Sequence, residues 1–182
     1  VKVLVICAWA FNPHDMWTIL PALKRAGLGF EVISSKGIVE EEEARVEKPR
    51  KFRVRTLDEF DIGEVEDYDG LIFVSGHRIT RERLYYDVKV KHIVLTFDRQ
   101  NKPIAAPCAM VPCMRYVLKD QKCTVFPLTI CVSLLKRAGA EVLDESLVIS
   151  GRYITAQTEE VVERMVDEFI RKVKEFAHSR IS

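Results

Sequence analysis

Short apolar runs alternate along this chain with longer amphipathic segments, and that alternation constrains the fold more than any other feature. Residues 3–7 form a continuous apolar run, the mark of a strand buried on both faces. Asn12 then offers an N-cap, Pro13 a first helical position and Asp15 a first-turn carboxylate. Met16, Ile19, Leu20 and Leu23 make a stripe at helical spacing, Pro21 predicts a kink inside it, and Gly27 ends the helix. Residues 30–33 are the second strand. Residues 68–76 hold a third, Asp87 caps a helix running to about Arg99, and residues 104–107 hold a fourth.

After Cys108, Pro112 with Met114, Val117 and Leu118 at helical spacing predicts another helix over residues 111–118. An apolar run at 123–126, a helix over about 129–138 ended by Gly139, and strands near 141–142 and 147–149 follow. Tyr153 and Ile154 come after a Ser150-Gly151 turn. Thr158 caps a final helix with Val162, Met165, Phe169, Val173 and Phe176 on one face. Glu160–Arg164, Asp167–Arg171 and Glu168–Lys172 are the ion pairs its spacing offers. Strands separated by helices require βαβ crossovers, so the chain is an α/β three-layer sandwich with a mostly parallel central sheet. Residues 35–66, with the charge run 40–43 and an alternating stretch at 52–56, read as a solvated excursion. They hold too few apolar residues for a core of their own, so residues 1–182 form a single domain.

Composition narrows the function classes. With 182 residues, 48% of them hydrophobic and 30% charged, the chain has an ordinary globular balance. A net charge of +1, with no basic stripe interleaved with aromatics, gives no case for nucleic acid. No apolar stretch approaches a membrane span, and the first residues read as a strand, not a signal peptide. Five cysteines with no CxxC pair argue for reduced thiols in a cytoplasm and against zinc. No metal and no cofactor are expected.

Ligands of open parallel sheets collect at the carboxyl ends of strands. Three such ends, after Cys7, at Gly76 and at Cys108, bring residues 12–17, Gly76–His77 and Cys108–Ala109 together. Cys108 is the best lead among them. A thiol between a strand end and a helix start lies near unpaired backbone N–H groups that favour a thiolate or a developing oxyanion. The competing reading is a buried small hydrophobe, the usual place of a free cysteine.

Taken in order, Val1-Lys-Val-Leu-Val-Ile-Cys7, Tyr68-Asp-Gly-Leu-Ile-Phe-Val-Ser-Gly76, Lys102-Pro-Ile-Ala-Ala-Pro-Cys108 and Gly139-Ala-Glu-Val-Leu-Asp144 resemble the ThiJ/PfpI superfamily. Residues 117–127 look like the family segment leading into its next loop. The resemblance implies a flavodoxin-like fold, Cys108 on a strained nucleophile elbow, and Gly76 and Ala109 as oxyanion N–H donors. It also implies homo-oligomers.

The chain departs from that pattern at the chemistry. Counting back from Pro21, the family's first-helix acid falls at Trp17, and its usual histidine positions at Ala109 and Phe126. The turn after the elbow is one residue longer, as Met110-Val-Pro112. Asp15 is a candidate substitute acid, although a first-turn carboxylate already has a dipole role. His77, after the oxyanion glycine, and His14 are candidate bases; His92 and His178 read as surface or packing residues. Cys113 is a core residue or a resolving thiol, and Cys7, Cys123 and Cys131 read as packing. Trp17, Met110 and Phe126 would line an apolar pocket that favours a neutral thiol. Two functions follow. One is a weakly or non-catalytic protein that binds a small molecule, peptide or partner, with an oxidation-sensitive thiol. The other is a cysteine-dependent hydrolase or glyoxalase-like enzyme using Cys108 with His77 or His14.

Overall fold

A computed structural model describes residues 1–181. The central sheet has seven strands: β1 (Lys2–Cys7), β2 (Gly29–Ser34), β3 (Arg55–Thr56), β4 (Gly70–Val74), β5 (Ile104–Pro107), β6 (Leu147–Ser150) and β7 (Tyr153–Ala156). Their spatial order is β6-β7-β5-β4-β1-β2-β3. All neighbours run parallel except the β6–β7 hairpin, which turns at Gly151 with a φ of 59°. This is the doubly wound, flavodoxin-like arrangement expected of short apolar strands joined by helical crossovers.

The two faces of β1 show why its apolar run is unbroken. Val3, Val5 and Cys7 belong to one core cluster, while Leu4, Ile6 and Ala8 belong to the other. Helices α1 (Pro13–Arg25) and α5 (Val162–Ile181) cover the first face through Met16, Ile19 and Leu23 and through Met165, Phe169 and Val173. Between these helices in sequence come α2 (Arg78–Tyr85), α3 (Val88–Arg99) and α4 (Thr129–Arg137). They cover the second face, with Val90, Ile93, Val94 and Phe97 of α3 contributing most of its helical core. All four cysteines other than Cys108 are buried and unpaired, as packing residues.

Local capping follows the sequence closely. The Asn12 side chain accepts from the His14 N–H, and Asp87 accepts from those of Lys89 and Val90. Helix α1 continues through Pro21 to Arg25. Three features differ from expectation. Helix α2 was not foreseen; a single turn's worth of periodicity in a charged segment gives little signal, and its N-cap is the His77 side chain. On α5, Arg171 pairs with Glu168 and Glu175, the partners within reach of one guanidinium on either side. Beyond Cys108 the chain winds as a 3₁₀ helix from Cys108 itself to Val117, with Pro112 in its interior.

The excursion is also more ordered than its composition suggests. Residues Ile38–Glu41 and Lys51–Arg53 build a three-stranded sheet with Ala10–Phe11. Val39 is fully buried there and Phe52 stacks on Phe11 and Trp17. This small sheet brings residues 41–45 over the carboxyl end of β1.

Candidate functional site

Pro107 is the last residue of β5, pairing with Ala156 of β7, whereas the pairing to β4 already stops at Ala105. Lacking an N–H, a proline fits where the ladder ends. The next residue, Cys108, has a φ of 54°. Asn101 and Asp120 are the other non-glycine residues with positive φ among those described, and both types tolerate it through local hydrogen bonding. Cysteine has no such help, so the left-handed turn is a strained elbow imposed by its surroundings. The Phe126 N–H holds the Cys108 carbonyl at 3.3 Å, and the Tyr85 hydroxyl holds the Ala109 carbonyl.

Gly76 faces this elbow from the end of β4. A Cβ there would lie 2.2 Å from the Ala10 carbonyl oxygen and 2.8 Å from the Ala8 Cβ, so no side chain fits without moving backbone. The bonds Asn12 N–H to Ser75 carbonyl (2.7 Å) and His77 N–H to Ala10 carbonyl (2.9 Å) flank the Phe11–Gly76 pair. That pattern leaves the Gly76 N–H outside the ladder.

A cavity of about 390 Å³ opens here, and its walls include Asn12, Ser75, Gly76, Arg81, Cys108, Ala109 and Phe126. Glu42 and Arg45 enter from the small sheet's connection, and Leu128, Thr158, Glu159 and Glu160 close the remaining side. The rim is cross-linked: Arg45 reaches Glu42 at 3.1 Å and Glu159 at 2.9 Å, and the Asn12 amide donates to Glu159 at 2.9 Å. Arg81 donates to the Gly76 carbonyl at 3.0 Å.

The electrostatics disfavour a thiolate. Burial pushes the Cys108 thiol well above its ordinary range, and the nearby carboxylates of Asp15 and Glu159 push it further. Arg45 and Arg81 offset only part of this. The 3₁₀ winding beyond the elbow also provides a poorer array of aligned N–H dipoles than an α-helix start. Asp15 is itself fully buried, and loss of water raises its carboxyl to about 6 despite the Ser75 N–H donating at 3.3 Å.

The structure brings together Cys108, Gly76, Ala109 and Phe126 around the cavity, with Asp15 outside its wall but close enough for its charge to act on Cys108, and separates the other candidates from them. His77 caps α2 through its side chain and lines a separate cavity with Trp9, Glu41 and Ile79. His14 lies at the α1 start, its Nδ1 3.8 Å from Asp15, and does not line the Cys108 cavity. Trp17 is not a pocket residue. Its indole donates to Glu41 at 2.8 Å and packs on Phe11 and Phe52, because its helical position points toward the small sheet. Met110 is fully buried, since the 3₁₀ turn carries it into the core cluster on the second face of the sheet. Sequence reasoning missed Glu42, Arg45, Arg81 and Glu159. The first two sat in a charge run that reads as solvated, and Arg81 sat on the unforeseen helix. Glu159 adjoins the predicted Thr158 cap, the one signal that placed that turn near the strand ends.

These features define a doubly wound α/β protein with a cysteine elbow at its strand ends. The DJ-1/PfpI family profile matches residues 1–172, so the chain belongs to that family. It is a divergent member. A ThiJ/PfpI domain protein from Brachyspira murdochii superposes with a TM-score of 0.81 at 18% identity, covering 96% of each chain. Schizosaccharomyces pombe DJ-1 superposes at 0.75 with 16% identity, covering 98% of each. An uncharacterized protein of Methanocaldococcus jannaschii is 33% identical over 95 residues, 51% of this chain and 46% of that protein. The chain thus spans about half the length of that curated relative. Among the described residues no Cys-His-acid triad is assembled around Cys108, and no helix is long and apolar enough to cross a membrane.

Proposed function

We propose that this chain is a small-ligand or partner-binding member of its family, weakly or non-catalytic, with Cys108 kept as a neutral thiol in the wall of the site rather than as the oxidation-sensitive one the sequence suggested. The observation that carries this reading is the composition of the cavity: no histidine stands among its wall residues, and the charges of two carboxylates, Asp15 and Glu159, disfavour the thiolate. A nucleophile without a general base forgoes a contribution of roughly 10²–10⁴-fold. The Gly76 and Ala109 N–H groups would orient a ligand oxygen, with Phe126 and Leu128 beside its apolar part. The reading extends to a cytoplasmic homo-oligomer. Exposed Tyr86 and Val88, at the junction between α2 and α3, support self-association.

A second reading, a cysteine-dependent hydrolase or aldehyde-processing enzyme, is favoured by one feature. Asp15 is a buried carboxylate whose charge acts on Cys108, with one oxygen, Oδ1, free of hydrogen bonds. It would then take the thiol proton that His77 is too far round to accept. Wild type and Cys108→Ser, screened against 2-oxoaldehydes and short peptides, separate the two. The binding reading expects no turnover by either and the same ligand-induced rise in melting temperature in both. Turnover by wild type that disappears in Cys108→Ser establishes the enzyme instead.

A further inference from the structure

Outside the catalytic question, one cluster of side chains has more metal-ligating capacity than its neighbours use. A ring nitrogen of His14, an Asp15 carboxylate oxygen and a Glu159 carboxylate oxygen all lie within 4.8 Å of one another. Asp15 is fully buried, its Oδ2 accepts from the Ser75 N–H, and its Oδ1 has no hydrogen bond. That orphaned oxygen faces His14 Nδ1 at 3.8 Å. A desolvated carboxylate oxygen without a donor is unfavourable unless something electropositive meets it. On Glu159, the bonds from Asn12 and Arg45 both fall on Oε2.

We propose that His14, Asp15 and Glu159 form a binding site for a divalent transition metal of the zinc class, beside the Cys108 cavity that Glu159 lines. One imidazole nitrogen with two carboxylate oxygens is a borderline donor set. Hard ions such as Mg²⁺ and Ca²⁺ call for oxygen ligands in larger number. Zinc-to-ligand bonds of ~2.0–2.2 Å put tetrahedral ligand atoms ~3.3–3.5 Å apart. Closing to that spacing takes about 1 Å of side-chain movement. The half-exposed His14 and the rim residue Glu159 supply it, while Asp15 stays fixed by Ser75.

Charge balance points the same way. Two carboxylates match a dication, and the site already draws a cation from its own chain, the Arg45 guanidinium on Glu159. Arg45 keeps Glu42 as a partner at 3.1 Å if Glu159 turns to a metal. His14 and Asp15 are adjacent and Glu159 lies at the other end of the sequence, so no motif spacing announces the site. The inference is independent of whether Cys108 is reactive.

Titration of the full chain with Co²⁺ alone tests it, because d–d absorption reports coordination and a thiolate ligand adds intense charge-transfer bands. One Co²⁺ is expected per chain, with d–d bands and no thiolate bands. His14→Ala and Glu159→Gln should each weaken binding by roughly tenfold or more, with Cys108→Ser leaving it unchanged. His14 is exposed at the helix start and Glu159→Gln keeps an acceptor for Asn12 and Arg45, so both variants should retain the wild-type circular dichroism. The inference is overturned by folded wild type that binds no Co²⁺ at millimolar concentration, or by affinity unchanged in the His14→Ala, Glu159→Gln double variant. Charge-transfer bands abolished by Cys108→Ser would likewise assign the metal to the thiol and overturn it.

Discussion

Two residues carry the geometry of this site by opposite means. Cys108 tolerates a backbone angle its side chain disfavours, and Gly76 gives up its side chain so that β4 can approach Ala10. The site needs both, since Gly76 and Cys108 line the same cavity. Gly76→Ala would set a Cβ against backbone on one side and the Ala8 methyl on the other, neither of which can swing away. We expect a loss of at least about 2 kcal/mol in urea unfolding, at the upper end for single substitutions. A loss under about 0.5 kcal/mol, the range of ordinary surface changes, would show that the close approach is not rigid. At this scale the sequence was informative about Cys108 and Gly76 because strand ends are legible. It named both Asp15 and Trp17 without deciding between them, because which α1 residue faces the elbow depends on how α1 rotates over the sheet.

Among the elements, the small three-stranded sheet changes the site most. Its residue Glu41 is buried, accepts from the backbone N–H and the guanidinium of Arg50, and takes the Trp17 indole N–H from α1. These bonds, Arg50's first, hold its carboxyl down to about 2 from an ordinary 4.5. Because the folded value is depressed, the unfolded chain binds more protons between those values, and stability falls with acid there. The contribution is complete above pH 4.5 and lost as pH falls through about 2. Glu41→Gln should therefore flatten the decline of the urea midpoint between pH 4.5 and 2 relative to wild type. Superimposable declines would show that Glu41 does not fasten the excursion to α1. The alternation of strands and helices was readable because burial on two faces leaves a continuous apolar run. This sheet was not readable, since its strands are short and the buried residues of the excursion's own strand, Val39 and Glu41, sit among charges.

For the whole molecule, a flavodoxin-like frame has kept the family's elbow while surrounding it with different chemistry. The resemblance implies an acid and histidines where the chain has Trp17, Ala109 and Phe126, and the cavity is rimmed by Glu42, Arg45, Glu159 and Arg81. Fold similarity at 18% and 16% identity carries the architecture alone, so function rests on this altered rim. The sequence could name the departures but not the replacements, which come from the excursion and from the turn before α5, far apart in the chain. The central claim is that this environment keeps Cys108 a neutral thiol, and the rate of its alkylation against pH tests that most directly. With Cys108→Ser correcting for the four buried cysteines, we predict slow alkylation at neutral pH and a midpoint above the ~8.5 of a free thiol. Rapid alkylation with a midpoint below 7 would show a stabilised thiolate and contradict the account.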